Sequence, residues 1–145
     1  MTTIAYRSCT LAADSLGVDD SSSLKSTVSK LFKLSNCIVG FAGDTGSGHK
    51  FVKWVDAGMP DKRPTFPKKC DFDAVVVYRD RAEVWDEDMM AVPIEDEFYA
   101  IGTGAGVAMG AMDMGADAAR AVEAATRWDA NTGGKIISYS AADLD

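Results

Sequence analysis

The sequence predicts an α+β protein in which two antiparallel sheets carry helices on their outer faces. Taken in order, its 145 residues give a block of short strands, one helix, a hairpin, another strand, two helices and a closing strand. Strands that follow one another directly favour antiparallel pairing, and helices placed between such blocks suit the outer faces of the sheets. A chain of this length buries about two-thirds of its unfolded surface as one domain, so we expect residues 1–145 to form a single domain.

The composition indicates a soluble protein without a metal or another cofactor. Hydrophobic residues make up 47% and charged residues 26%, an ordinary globular balance. The sequence contains no apolar run of about 20 residues and no signal-peptide pattern, and the net charge of −7 argues against nucleic acid and anionic membrane surfaces. Three cysteines without a motif and a single histidine give no metal-ligand spacing. We therefore expect a cytoplasmic protein.

The first two strands are predicted to end at a buried carboxylate. Residues 2–7 alternate between two faces, which is a strand period, and residues 11–14 form a second strand that ends at Asp14. Small residues on both faces suit a strand that is covered on both sides. Asp14 would then need a partner, because an unpaired buried charge is costly. Residues 15–26 are rich in glycine, aspartate and serine and predict a loop.

The third strand, residues 27–34, places a lysine on its more apolar face. Lys30 alternates in phase with Val28, Phe32 and Leu34. A lysine that points into a core needs a partner such as Asp14, or a function that uses its charge. The alternative is an edge lysine whose stem is buried while its ammonium group reaches water.

The fourth strand, residues 37–42, contains Gly40. Glycine within a strand marks either close approach of a ligand or another chain to the backbone, or tight packing of the sheet, and the sequence leaves both open. A helix over residues 47–57 follows, with Ser47 as a candidate N-cap and Gly58 as a C-terminal stop.

The second half of the chain alternates between strands and helices. Residues 59–69 carry three prolines and four basic residues and predict an exposed connection. The remaining predicted elements are a hairpin of residues 72–78 and 82–85, an acidic loop at 86–97, a strand at 98–101, helices at 107–114 and 116–128 broken at Gly115, a turn at 129–134 and a closing strand from residue 136.

Two glycine-rich turns invite a nucleotide-binding interpretation that the spacing excludes. The turn at residues 43–48 reads GDTGSG, but a phosphate loop requires lysine directly after the last glycine and then serine or threonine. His49 and Lys50 follow instead. The turn at residues 102–104 would need a further glycine at position 107 for a dinucleotide fingerprint, where the sequence has Val107.

The N-terminus offers a nucleophile that could carry its own base. Removal of Met1 would leave Thr2 with both a hydroxyl and a free α-amine. The pKa of such an amine is about 7.7–8.0 in model peptides, so a partly neutral amine can accept the hydroxyl proton, a recognised pairing among activated nucleophiles. The alternative is that two threonines after a start methionine only begin a strand.

Several short motifs, in the same order, resemble the HslV peptidases and proteasome β-subunits among the N-terminal-nucleophile hydrolases. The resemblance covers nearly the whole chain. It rests on Thr2-Thr3-Ile4, Ala13-Asp14, Lys30 sixteen residues after Asp14, Gly40-Phe41-Ala42-Gly43, Ala100-Ile101-Gly102-Thr103-Gly104 and Asp129-Ala130-Asn131-Thr132-Gly133-Gly134. Thr103 and Thr132 stand where that family usually has serine.

The resemblance implies a four-layer αββα sandwich with Thr2 between the sheets. It implies that Thr2 is the nucleophile, that its amine is the base, and that Lys30, held by Asp14, lowers the proton affinity of the nucleophile. It further implies that the Gly40 N–H stabilises the oxyanion, and that three more residues form a supporting hydrogen-bond shell: Thr103, Asp129 and Thr132.

The resemblance also implies a threonine endopeptidase subunit in a homo-oligomeric ring that acts on peptides or unfolded proteins. The chain departs from this pattern because one helix, not two, lies between the fourth strand and the hairpin, so one outer helix is missing. We therefore expect assembly through residues 107–128 and no productive complex with the usual ATPase. The alternatives are a non-catalytic ring-forming scaffold that retains Met1, and an amidase of the same fold that acts on a small amide.

Overall fold

The computed structural model describes residues 2–144. These residues form antiparallel sheets and three α-helices. The α+β class is therefore confirmed. The strands are β1 (Thr3–Arg7), β2 (Thr10–Ala13), β3 (Leu16–Val18), β4 (Lys25–Thr27), β5 (Leu31–Lys33), β6 (Ile38–Gly43), β7 (Phe72–Val77), β8 (Ala82–Asp86), β9 (Ala91–Pro93), β10 (Phe98–Gly102) and β11 (Ile137–Ser140). The helices are α1 (Thr45–Asp56), α2 (Ala105–Asp113) and α3 (Ala118–Trp128).

Two larger sheets and one small hairpin contain all of these strands. The first sheet has the order β10-β1-β2-β11, and the second has the order β5-β6-β7-β8-β9, while β3 and β4 pair only with each other. Neighbouring strands are antiparallel throughout. The first sheet brings the N-terminal strand β1 beside β10, so Thr3 pairs with Gly102 and the start of the chain lies next to the turn that leads into α2.

Each of the larger sheets is covered on two faces. Side chains such as Ile4, Leu11 and Val75 form one core between the sheets. Alanines of the first sheet pack against α2 and α3, and aromatic side chains pack α1 against the second sheet. Because both faces of the second sheet are buried, the alternation in residues 27–34 could not select a single core face. Leu31 packs into the core between the sheets, whereas Phe32 packs on the side of α1.

Four details differ from the sequence-based expectations. The predicted loop at residues 15–26 contains the β3–β4 hairpin, and the predicted acidic loop at 86–97 contains β9. The predicted strand at 27–34 is reduced to β5. The N-cap of α1 is Asp44 rather than Ser47, because the Asp44 carboxylate accepts hydrogen bonds from the Ser47 N–H and hydroxyl at 2.8 and 2.7 Å.

The single helix predicted before the hairpin is present as α1, and it stops where the sequence predicted. Gly58 follows its end with a φ of +88°, a conformation that glycine adopts without steric cost. Residues 57–71 then run to β7 without a further helix. No helix within residues 2–144 is long and apolar enough to cross a membrane.

Candidate active site

Thr2 lies in the lining of a cleft, directly before β1. Its exposed fraction is only 6%, and it shares the lining of a cavity of about 840 Å³ with Lys30 and with residues of the β3–β4 hairpin, of the turn before α1 and of the segment 67–71. The neighbouring backbone is closely packed, because a Cβ atom on Gly102 would lie 1.9 Å from the Thr2 carbonyl oxygen. Only glycine fits there, which explains the glycine in the turn after β10. The predicted removal of Met1 concerns a residue outside the described range.

Asp14 and Lys30 form a buried ion pair beside Thr2. Lys30 Nζ lies 2.9 Å from each carboxylate oxygen of Asp14, and the exposed fractions of the two residues are 7% and 1%. The inward-facing lysine and its partner, both predicted from the residues, are therefore observed. A charge held away from water acts more strongly on its neighbours than an exposed one, because the local dielectric constant is lower.

Burial lowers the pKa of Lys30 below its usual value, and the hydrogen bond and charge of Asp14 oppose that shift. The more distant charge of Asp129 acts in the same direction as Asp14. The surroundings of Lys30 therefore partly disfavour its charged form, while the Asp14 carboxylate supports it. Such a group favours any nearby negative charge that develops during a reaction.

The Asp14 carboxylate is fixed by backbone donors as well as by Lys30. One oxygen accepts a hydrogen bond from the Thr3 N–H at 3.1 Å, and the other accepts one from the Gly133 N–H at 3.0 Å. Within residues 2–144, every buried side-chain nitrogen and oxygen has a hydrogen-bond partner. A buried charge requires such complete pairing to be tolerated.

Thr103, Asp129 and Thr132 come together as a second polar network. One oxygen of the Asp129 carboxylate accepts hydrogen bonds from the Thr103 and Thr132 hydroxyls at 2.5 and 2.6 Å, and the other accepts one from the Asn131 N–H at 3.1 Å. Desolvation raises the pKa of Asp129, but the lowering contributions, with these three hydrogen bonds foremost among them, outweigh it and hold the pKa below its usual value. The network therefore contains an ionised carboxylate at neutral pH.

The prediction that Gly40 N–H faces the reacting atoms disagrees with its position in β6. A Cβ atom on Gly40 would lie 2.8–3.1 Å from side-chain atoms of Leu31, Ile4 and Leu11, so this glycine faces the side chains packed between the sheets. The Asp44 N–H points toward β7, because it donates to the carbonyl of Asp71, the residue directly before that strand. Because alternate N–H groups of a strand point to the same side, the Gly40 N–H also points to β7, where Val75 is its partner residue.

Gly43, at the end of β6, reaches the cleft. It lines the cavity together with Thr2 and Lys30. The Phe41 N–H donates to the Lys30 carbonyl at 3.4 Å, so by the same alternation the Gly43 N–H points to the side of Lys30. The position of a glycine within its strand decides to which neighbouring strand its N–H points. The sequence did not predict the pairing register from which this direction follows.

Sequence reasoning also missed three residues that connect the site. The Thr3 hydroxyl lies 2.7 Å from the Thr132 hydroxyl, and a Cβ atom on Gly104 would lie 2.0 Å from the Thr3 oxygen. Gly133 donates to Asp14 as described above. The double glycine after Thr132 and the glycine after Thr103 were signals of close backbone packing, but only the fold shows what they pack against.

Comparisons with known proteins find the same fold in solved peptidase structures. No protein-family model and no curated protein sequence matches this chain. Among solved structures, eukaryotic HslV from Trypanosoma brucei is 18% identical with a TM-score of 0.72, and 95% of this chain and 97% of that chain are covered. Thiobacillus denitrificans BPH is 16% identical. Its complex with epoxomicin has a TM-score of 0.71, covering 95% of this chain and 96% of that one, and BPH alone has a TM-score of 0.69, covering 95% of each. The chain therefore has the fold that HslV and BPH share.

Proposed function

We propose that this protein is a threonine peptidase subunit in which Thr2, once it is the first residue, attacks a peptide bond. The observation that supports this most strongly is the placement of Thr2 in a cleft beside the buried Asp14–Lys30 pair. The fold shared with HslV and BPH points in the same direction. In this proposal the fold is the αββα sandwich of such peptidases with one outer helix fewer, on the side of α1.

The proposed reaction uses the two polar groups of an N-terminal threonine. The Thr2 hydroxyl oxygen attacks the carbonyl carbon of the peptide while the α-amine takes the hydroxyl proton. The resulting tetrahedral oxyanion collapses, the peptide C–N bond breaks, and the protonated amine gives its proton to the leaving amine. Water then hydrolyses the ester on Thr2, with the same amine as the base. Lys30 stabilises the developing negative charge on the Thr2 oxygen.

We assign the oxyanion donor to the Gly43 N–H and not to that of Gly40. Gly43 lines the cleft with Thr2, and its N–H points to the side of Lys30, whereas the Gly40 N–H points into the sheet. A preorganised N–H donor of this kind lowers a barrier by about 2.7–4 kcal/mol.

The test of the proposed function is peptide hydrolysis by protein whose first residue is verified. Intact-mass measurement identifies the chains that begin at Thr2, and a set of fluorogenic peptides measures hydrolysis. Because the related BPH structure contains epoxomicin, binding of that compound is a second measurement. We expect hydrolysis and epoxomicin binding only in chains that begin at Thr2. Processed protein that cleaves no peptide would favour the non-catalytic scaffold.

The proposed assembly is a homo-oligomer held through the layer formed by α2 and α3. This layer carries the two most exposed large apolar side chains among the described residues, Met114 at 86% and Trp128 at 78%. Light scattering should therefore give a mass of several subunits, and a monomer would contradict the proposal.

The proposed independence from an unfoldase rests on the opposite layer. There α1 is followed by an irregular segment, residues 57–71, which contains no helix. We expect ATP-independent cleavage of short or unfolded peptides and no cleavage of a folded substrate when an HslU-type ATPase is added. ATPase-stimulated degradation of a folded substrate would contradict this.

A further inference from the structure

We infer that Thr3 is a positioning residue for the nucleophile, because its backbone and its hydroxyl connect the two polar networks of the site. This inference rests on the proposed function, since it concerns how Thr2 is held. Thr3 is fully buried, with no exposed surface. It does not itself line the cleft, so it acts through its neighbours.

The peptide group between Thr2 and Thr3 is held from both sides. Its N–H donates to Asp14 Oδ1 at 3.1 Å, and its carbonyl oxygen accepts a longer hydrogen bond from the Gly104 N–H at 3.5 Å. The Thr3 carbonyl in turn accepts a hydrogen bond from the Asp14 N–H at 3.3 Å. The peptide plane that joins Thr2 to Thr3 is therefore hydrogen-bonded to Asp14, the same carboxylate that pairs with Lys30.

The side chain of Thr3 adds a third attachment with a defined direction. A hydroxyl has a single proton to donate, and the Thr132 hydroxyl donates its proton to the Asp129 carboxylate at 2.6 Å. In the 2.7 Å contact between Thr3 and Thr132, Thr3 must therefore be the donor. The hydrogen bonds run in one direction, from Thr3 through Thr132 to Asp129, and fix the rotamer of Thr3.

The space next to this hydroxyl depends on a glycine at position 104. A Cβ atom on Gly104 would lie 2.0 Å from the Thr3 oxygen and 3.2 Å from the Thr132 oxygen. The glycine thus provides the space in which the two hydroxyls meet. With Asp14 on one side and Asp129 on the other, Thr3 determines how Thr2 is oriented relative to Lys30. A misplacement of about 1 Å in such a geometry can reduce a rate by about 100-fold.

The test compares Thr3→Val, which removes the hydroxyl and keeps the branched shape, with Thr3→Ser, which keeps the hydroxyl. Thr10→Val, in the neighbouring strand β2, is the matched control for the loss of a threonine hydroxyl outside the site. All proteins are verified to begin at Thr2, and kcat, KM and the melting temperature are measured. We expect kcat of Thr3→Val to fall about 10- to 100-fold with KM changed by less than about twofold, since only positioning is lost. Thr3→Ser and Thr10→Val should retain kcat.

Different outcomes separate this inference from the proposed function. A Thr3→Val protein with a lower melting temperature but unchanged kcat would show a structural role only and overturn the inference, while the proposed function would stand. Unmodified protein that begins at Thr2 and hydrolyses nothing would overturn both. Should Thr3→Val fail to fold, Thr132→Val removes the same hydrogen bond from the other partner, and full activity in that variant would overturn the inference equally.

Discussion

The two carboxylates on either side of Thr3, those of Asp14 and Asp129, differ in burial and in the groups that they bind. Asp14 is almost completely buried and pairs with a cation, whereas Asp129 is half-buried and pairs with neutral hydroxyls and an N–H. A buried ion pair acts on its surroundings through its field, which is weakly screened. A carboxylate surrounded by neutral donors acts mainly by fixing where those donors lie. In the proposed mechanism, the half around Asp14 therefore sets the electrostatics and the half around Asp129 sets the geometry.

The largest expected effect is the loss of the buried cation. Lys30→Ala should remain folded, because Asp14 keeps its hydrogen bonds from the N–H groups of Thr3 and Gly133. Its kcat should fall about 100- to 1,000-fold, as for other preorganised electrostatic groups. Steady-state kinetics measure the loss, with Lys33→Ala as the control because Lys33 lies exposed in β5. Retained activity in Lys30→Ala would remove Lys30 from the mechanism and would end the distinction between the two halves.

Stability should respond less than activity in the same variant. Burial of a lysine is unfavourable, so its removal relieves a desolvation cost, while the unpaired Asp14 charge is a new cost of opposite sign. We therefore expect a small net change in the unfolding free energy of Lys30→Ala, measured by denaturant titration.

A smaller effect is expected from Asp129→Asn on the geometric half. An asparagine has only one side-chain oxygen, so it cannot accept from the two hydroxyls and from the Asn131 N–H as the carboxylate does. We expect kcat to fall about tenfold, equivalent to about 1.4 kcal/mol, with the field of Lys30 left in place. A loss as large as that of Lys30→Ala would contradict the division of roles.

The pH dependence of stability gives Asp129→Asn a second readout. The pKa of Asp129 is held below its usual value in the folded protein. Its contribution to stability is therefore present above the unfolded carboxyl pKa of about 3.9 and is lost as the pH falls through the folded pKa. The difference in unfolding free energy between the unchanged protein and Asp129→Asn should shrink below about pH 4. A constant difference down to pH 3 would show that Asp129 does not act through its charge.

The two halves also differ in how far the sequence predicted them. Asp14 and Lys30 were predicted from strand alternation and from the cost of buried charges, which are local arguments, although Lys30 lies directly before β5 and not within a strand. Thr103, Asp129 and Thr132 came only from a resemblance, because residues 103 and 129 meet through the packing of α2 and α3 against the first sheet. The role that the resemblance implied for Gly40 conflicts with the direction of its N–H, which depends on the register of β6 with β7. Thr3 gave no signal, since its partner lies 129 positions away.

The smallest expected effect is that of Thr103→Val. It tests whether the effect of a lost hydroxyl on kcat decreases from the buried end of the geometric half, at Thr132, to its exposed end, at Thr103. Thr103 is exposed, and within residues 2–144 its hydroxyl bonds only to the Asp129 carboxylate, while Thr132 is buried and contacts both Asp129 and Thr3. Without the Thr103 hydroxyl, Asp129 keeps two donors and can gain water. We expect a fall in kcat of no more than about fivefold, equivalent to about 1 kcal/mol, with Thr103→Ser unchanged and Thr132→Val more strongly affected. A loss of kcat in Thr103→Val as large as that in Asp129→Asn would contradict this gradient. It would mean that the Thr103 end of the network positions Thr2 without the connection through Thr132 and Thr3.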